Sequence, residues 1–189
     1  MNTINIDIIK LFDQHLLTKG LSYRASIIGG TAIMLIANQR RTTGDVDSLL
    51  TIPDEIKNEI RLFAKTEHIA DSWFNDNASR NYADFVMKGQ DLFAKIVFKG
   101  EALQLYTPSI QTLILSKIYP ILDRPDEGKD LQDLDDLIAA GVASKIDFES
   151  ALEIFVENLR FESDRSVRKA SRLLADTLRE LINTGFPTK

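Results

Sequence analysis

Residues 27–49 read IIGGTAIMLIANQRRTTGDVDSL. An apolar run enters a Gly-Gly turn, a second apolar run follows, and a basic turn leads to two aspartates one residue apart. The first run predicts a strand over 25–28, the second a helix over 31–37, and the third a strand over 46–50. In a strand, residues i and i+2 lie on one face, so Asp45 and Asp47 are expected to project together, about 7 Å apart. Two carboxylates at that spacing repel unless a cation sits between them. Hard oxygen ligands suit Mg²⁺ or Mn²⁺. Glycines let backbone N–H groups approach an anion, and a helix that follows offers its positive end. Gly29, Gly30 and Thr31 are therefore expected at the phosphates of a nucleotide, and Asp45 and Asp47 at its metal.

This order of parts resembles the nucleotidyltransferase superfamily, the DNA polymerase β-like enzymes. Its mark is a hydrophobic residue, Gly-Gly or Gly-Ser, a spacer, then Asp-hydrophobic-Asp. Ile28-Gly29-Gly30 and Asp45-Val46-Asp47 fill both halves, with a long spacer. The wording GGTA…RRTTGDVD is most similar to AbiEii-type toxins and neighbouring uncharacterised bacterial nucleotidyltransferase-like families. A second block, LQLYTPSIQTLILSKIYPILDRPDEGKDLQDLDDLI over 103–138, matches their later pattern. It has a short strand, Pro108-Ser109 at a helix start, Lys117 inside an apolar helix, and Lys129-Asp130 with Asp133. Trp73-Phe74-Asn75-Asp76 is similar to an element found between the two blocks. The resemblance spans about 25–140.

The resemblance implies transfer of a nucleoside monophosphate from an NTP to an RNA end, a protein or a small-molecule hydroxyl, with Mg²⁺ or Mn²⁺ as cofactor. It implies that Lys117 neutralises triphosphate charge and that Asp130 orients the attacking hydroxyl or a cationic partner. It also implies a toxin role with a cognate antitoxin. Superfamily enzymes usually carry a third carboxylate on a later strand. Asp84, Asp91 and Glu101 are available, and Asp84, inside YADFVM, is the one expected at the metal. A member without that acid would bind a nucleotide or a protein without turnover.

Each candidate also has an ordinary structural reading. Gly-Gly can be a plain turn, and Asp45 and Asp47 can solvate a strand edge, although acids are poor strand formers. Lys117 can snorkel. Asp130 and Asp133 can be helix-start acids favoured by the dipole. Trp73 and Asn75 can serve packing or substrate contact. His15 and His68 show no partner pattern.

Composition sets the bounds. With 44% hydrophobic and 27% charged residues, the 189-residue chain is globular and long enough to bury a core. The absence of cysteine excludes disulfides and a thiolate nucleophile, and agrees with a reducing cytoplasm. Neither a signal peptide nor an apolar run of about 18 residues is present, so no membrane partner is expected. A net charge of −5 argues against non-specific coating of nucleic acid, which works by neutralising phosphate. Arg40-Arg41 and a C-terminal set including Arg165, Arg168, Lys169, Arg172 and Arg179 are local exceptions; the second set, interleaved with acids, reads as a solvated helix face.

The expected fold class is α+β: a small mixed sheet of nucleotidyltransferase type flanked by helices, followed by a C-terminal helical bundle. The switch from strands to helices near Thr107 predicts an α/β core over 1–107 and a helical region over 108–189. Further strands are expected at 82–87, 92–98 and 103–106. Helices are expected at 4–17, 53–65, 109–121, 129–140, 147–159 and 164–183.

Overall fold

The structure, a computed structural model, describes residues 3–37, 42–82, 92–123, 128–158 and 163–185. The chain divides into two compact units, Met1–Ser109 and Ile110–Lys189. No helix among the described residues is long and apolar enough to cross a membrane.

The first unit is a mixed sheet with helices. Helix α1 (Ile6–Thr18) starts at Asn5, whose side-chain oxygen accepts the Asp7 and Ile8 N–H groups. Its apolar face buries Ile9, Phe12 and Leu16. Strand β1 (Tyr23–Ile28) runs straight into α2 (Gly29–Ile36). Strand β2 (Val46–Ser48) follows, then α3 (Asp54–Glu67), with Pro53 as its cap residue. Strand β3 (Phe74–Asn75) and helix α4 (Asn77–Tyr82) come next. Strands β4 (Lys95–Lys99) and β5 (Leu103–Thr107) close the unit. The sheet order is β3-β2-β1-β5-β4. β1 pairs antiparallel with β2 and parallel with β5, β2 is parallel to β3, and β4 is antiparallel to β5.

Register separates the two faces of this sheet. Ile27 pairs Ser48, and Ala25 pairs Leu105, so Ala25, Ile27, Val46, Ser48, Leu103, Leu105 and Thr107 share one face, and all are buried. Phe12 of α1 and Phe63 of α3 meet Trp73 and Phe74 there in edge and tilted ring contacts 5.2–6.2 Å between centroids. The opposite face carries Arg24, Ser26, Ile28, Asp47, Asn75, Gln104 and Tyr106 by the same pairing. Of these only Ser26 and Ile28 are buried. One face is a core and the other is open enough to be worked on.

A carboxylate locks the far corner of the sheet. Asp13 of α1 is buried and accepts the backbone N–H groups of Glu101, Ala102 and Leu103 at 3.2, 2.8 and 2.7 Å. A Cβ on Gly100 would lie 2.1 Å from Asp13 Oδ1, so only glycine fits this β4–β5 turn.

The second unit is helical: α5 (Ile110–Asp123), α6 (Lys129–Ala139), α7 (Lys145–Asn158) and α8 (Arg165–Thr184). Leu113, Ile114, Ile118, Leu134, Leu137, Phe148, Phe155 and Leu178 form its interior. Asp164 caps α8 by accepting the Ser166 hydroxyl and the Ser166 and Val167 N–H groups, and those bonds, the hydroxyl's first, hold its carboxyl below the usual carboxylate range. Arg165, Lys169 and Arg172 are exposed on α8.

The α+β expectation is met, and several details differ. Tyr82 ends α4 instead of opening a strand; the rest of the strand expected over 82–87 lies outside the described residues. β3 and α4 were not expected, because a two-residue strand has no periodicity to read. Helix α2 begins two residues earlier than its apolar run, since the glycines themselves form its first turn.

Candidate active site

The Gly-Gly turn and the second aspartate lie against each other. Gly29 adopts φ +77°, a left-handed conformation that disfavours any side chain. A Cβ there would fall 2.8 Å from Asp47 Oδ2. Glycine is thus required twice over, by its backbone angle and by the carboxylate beside it. Ile28, the residue before it, pairs with Asp47 across β1 and β2. Helix α2 starts at this point, with no side chain bonded to its first turn as a cap. The opening turn of a helix has backbone N–H groups without intrahelical acceptors, which is the arrangement that receives anions.

Asp47 is half-buried between buried Val46 and Ser48. Its Oδ1 accepts a hydrogen bond from Asn75 Nδ2 at 3.1 Å, and Asn75 Oδ1 in turn accepts the Asn77 N–H at 3.0 Å. One carboxylate oxygen is fixed by an amide and the other faces the glycine turn. Asp45 lies just before β2, half-buried. Its carbonyl accepts the Thr31 hydroxyl at 2.5 Å. Thr31 is fully buried, so its side chain ties α2 to the start of the D-x-D strand instead of facing a ligand.

The Trp73-Phe74-Asn75-Asp76 element divides its labour. Trp73 is core, 1% exposed, with its indole N–H directed at the Ile60 carbonyl, 3.4 Å away. Asn75 holds Asp47. Asp76 accepts the Ile52 N–H and pairs with Lys57, both at 2.9 Å. Burial opposes ionisation of Asp76, but the Lys57 and Ile52 bonds outweigh it and hold the carboxyl below its ordinary value. A cavity of about 160 Å³ opens beside this edge strand, lined among others by Lys57, Arg61, Ser72, Asn75 and Asp76. Asn75 therefore borders both the cavity and Asp47.

The expected third acid is not brought to this place by the described residues. Asp84 and Asp91 lie outside them, as do Arg40 and Arg41. Glu101 sits before Leu103, which pairs with Tyr23 at the start of β1, while Asp47 pairs with Ile28 at its end. Among the described residues no group of three or more His, Cys, Asp or Glu side chains could hold a metal ion.

In the helical unit, Lys117 is an internal ion-pair partner. Its Nζ lies 3.1 Å from Asp130 Oδ1 and 2.5 Å from Asp133 Oδ2. All three residues are at most 5% exposed. Lys117 does not snorkel, and the two acids are more than helix-start residues: the three cross-link α5 to α6. His15 also has a partner, Glu59 Oε2 at 2.8 Å.

Residues 6–177 match the family described as nucleotidyltransferase of unknown function (DUF6036). The chain belongs to that family. No curated protein and no solved structure gave a significant match. In this DUF6036 nucleotidyltransferase, Gly29 and Asp47, from the two halves of the pattern that resembles the wider superfamily, lie in contact. Asn75 is the side chain bonded to Asp47 that sequence spacing left undecided between packing and substrate contact; its signal was the Trp-Phe-Asn-Asp element itself.

Proposed function

We propose that this chain transfers a nucleoside monophosphate from a metal-bound NTP to a hydroxyl acceptor. The observation that carries the reading is the Asp47 carboxylate, clamped by Asn75 and set against Gly29 at the start of α2. Asp45 and Asp47 suit Mg²⁺ or Mn²⁺ borne by a substrate, because Mg²⁺ is usually bound by one or two carboxylates plus phosphates and keeps several waters. A cage made wholly of protein ligands is not needed. The cation there supplies neutralisation of triphosphate charge and of the pyrophosphate leaving group. Gly29, Gly30 and the Thr31 backbone hold phosphate oxygens. The acceptor oxygen bonds to the α-phosphorus, pyrophosphate leaves, and the hydroxyl proton passes to a carboxylate, for which Asp84 is the candidate.

The helical unit enters through the resemblance. The resemblance assigns Lys117 to triphosphate charge and Asp130 to the attacking hydroxyl or a cationic partner, and the Lys117–Asp130 ion pair supports the second role for Asp130. The acceptor classes are an RNA end, a protein or a small molecule. The AbiEii resemblance adds a toxin role with an antitoxin partner as the biological setting.

Two measurements test the reading. Labelled NTPs, with Mg²⁺ or Mn²⁺ and total cellular RNA, should place label in RNA or protein. Calorimetry should show metal-dependent nucleotide binding that Asp47→Ala weakens far more than its stability change explains, the half-buried carboxylate being bonded to Asn75 and unfolding of the variant therefore being measured alongside. Equal affinities for wild type and variant, with and without metal, would falsify the proposal. A second reading, a degenerate member that binds nucleotide without turnover, is favoured by the lack of a three-acid group among the described residues. It predicts binding in the calorimeter and no transferred label.

A further inference from the structure

The open face of the sheet carries a second feature beside Asp47. The Arg24 guanidinium lies over the Phe93 and Tyr106 rings, 4.1 and 4.3 Å from their centroids. The two rings meet edge to face at 5.3 Å, and the Tyr106 hydroxyl donates to Gln104 Oε1 at 3.0 Å. Arg24 is nonetheless solvent-exposed, with its guanidinium carbon within cation–π reach of both rings. Ile96, 41% exposed, pairs with Tyr106, and exposed Lys99 pairs with Gln104. The register therefore lays Arg24, Tyr106, Gln104, Ile96 and Lys99 on the face that bears Asp47.

The charge on this part of the face runs against the chain. The protein carries a net −5, yet Arg24 and Lys99 are the charged residues that the register puts on this face of β1, β5 and β4. Cations interleaved with aromatic and apolar side chains are the chemistry that receives single-stranded nucleic acid. The cations meet phosphates, and bases stack on rings or guanidinium planes. A duplex hides its base faces and cannot use such a surface. Arg24 stands four residues before Ile28, roughly 13 Å along β1 at the usual rise, and Ile28 pairs with Asp47. A strand lying over the platform can thus reach the carboxylate.

We propose that Arg24, Phe93 and Tyr106, with Lys99, form a platform that binds the acceptor as a single-stranded nucleic acid. The inference rests on the transferase reading for the word acceptor, but binding is measured without turnover. The probes are fluorescent, unstructured RNA and DNA oligomers of about 12 nucleotides, within the roughly 4–16 that one such surface covers. Anisotropy with the full chain, without NTP, should show salt-dependent binding. Arg24→Ala and Tyr106→Ala should each weaken it about fivefold or more. Arg24→Lys keeps the charge and loses the plane, and should recover only part. Lys99→Ala should reduce the salt slope by about 0.7, the value of one phosphate contact on a single strand. Thermal unfolding of each variant, with Arg24→Gln as a milder change, separates lost binding from lost fold. A preference for RNA or for DNA supports the platform and identifies its strand. Failure of wild type to bind either oligomer, equal binding of a duplex, full recovery by Arg24→Lys, or no effect of Arg24→Ala overturns it. Magnesium–nucleotide binding without strand binding removes the platform alone; strand binding without nucleotide binding removes the transferase reading alone.

Discussion

At the scale of the residue, Gly29 and Asp47 constrain each other. Any side chain at Gly29 meets both an unfavourable φ and the Asp47 oxygen. Gly29→Ala should lower stability by about 1–2 kcal/mol through the backbone alone. It should also push the carboxylate off its position. Denaturant unfolding and calorimetry together check this: nucleotide affinity should fall far more than the stability change explains. Retained affinity would mean that the carboxylate is not held where it acts. This contact was legible in the sequence, because two glycines before a helix and an i, i+2 acid pair each need a reason. The Asn75 clamp was less so, since its partner lies 28 residues earlier in sequence and only strand pairing joins them. Arg24 gave no signal at all; its role depends on a register across β1, β5 and β4 that no local pattern encodes.

At the scale of the element, the join between α5 and α6 is ionic. Lys117 faces two buried carboxylates. Lys117→Met would take a buried cation from both, and removing one member of a buried pair costs about 3–5 kcal/mol. The single variant should therefore unfold at markedly lower temperature, and its loss of activity would say little about phosphate. The triple change Lys117→Met, Asp130→Leu, Asp133→Leu removes these three charges together and should bring the melting temperature back toward that of the parent. Transfer measured in that stable triple variant decides the catalytic role of Lys117 and Asp130: persistence of activity ends it. The sequence disclosed the lysine and both acids, and helical spacing put the acids one turn apart. It did not disclose that they meet, because the link between two helices depends on how they cross.

At the scale of the whole molecule, alkaline stability should report on Tyr23. Burial, offset in part by the Ser48 hydroxyl and reinforced by the Asp76 charge, pushes its phenol up to about 12 from 10.0. Its hydroxyl finds no hydrogen-bond partner of good geometry among the described residues. The unfolded chain loses this proton first as pH rises. The stabilising contribution is thus complete below pH 10 and disappears by about 12. Tyr23→Phe should remove that alkaline loss in a pH series of unfolding curves. Below pH 10 it should cost little, because the contact with Ser48 is not a well-formed hydrogen bond. An unchanged alkaline slope would show that another group governs it. The helices other than α4, strands β1, β2, β4 and β5, and the shift from mixed to helical structure were readable from periodicity, whereas β3 and α4 were not. The strand order was not, since β1 takes its second neighbour from a segment that begins 75 residues after β1 ends.

That order has a consequence for how the chain is made. Asp13 leaves the ribosome early, in α1, but its three N–H donors belong to residues 101–103. Until then its carboxylate must stay in water, so α1 cannot seat its apolar face in final form. β1 and β2 can meet sooner, whereas β5 must close a long loop before its pairing is repaid, which slows folding. The Asp13 lock is a completion signal: the first unit sets only when the β4–β5 turn has been synthesised.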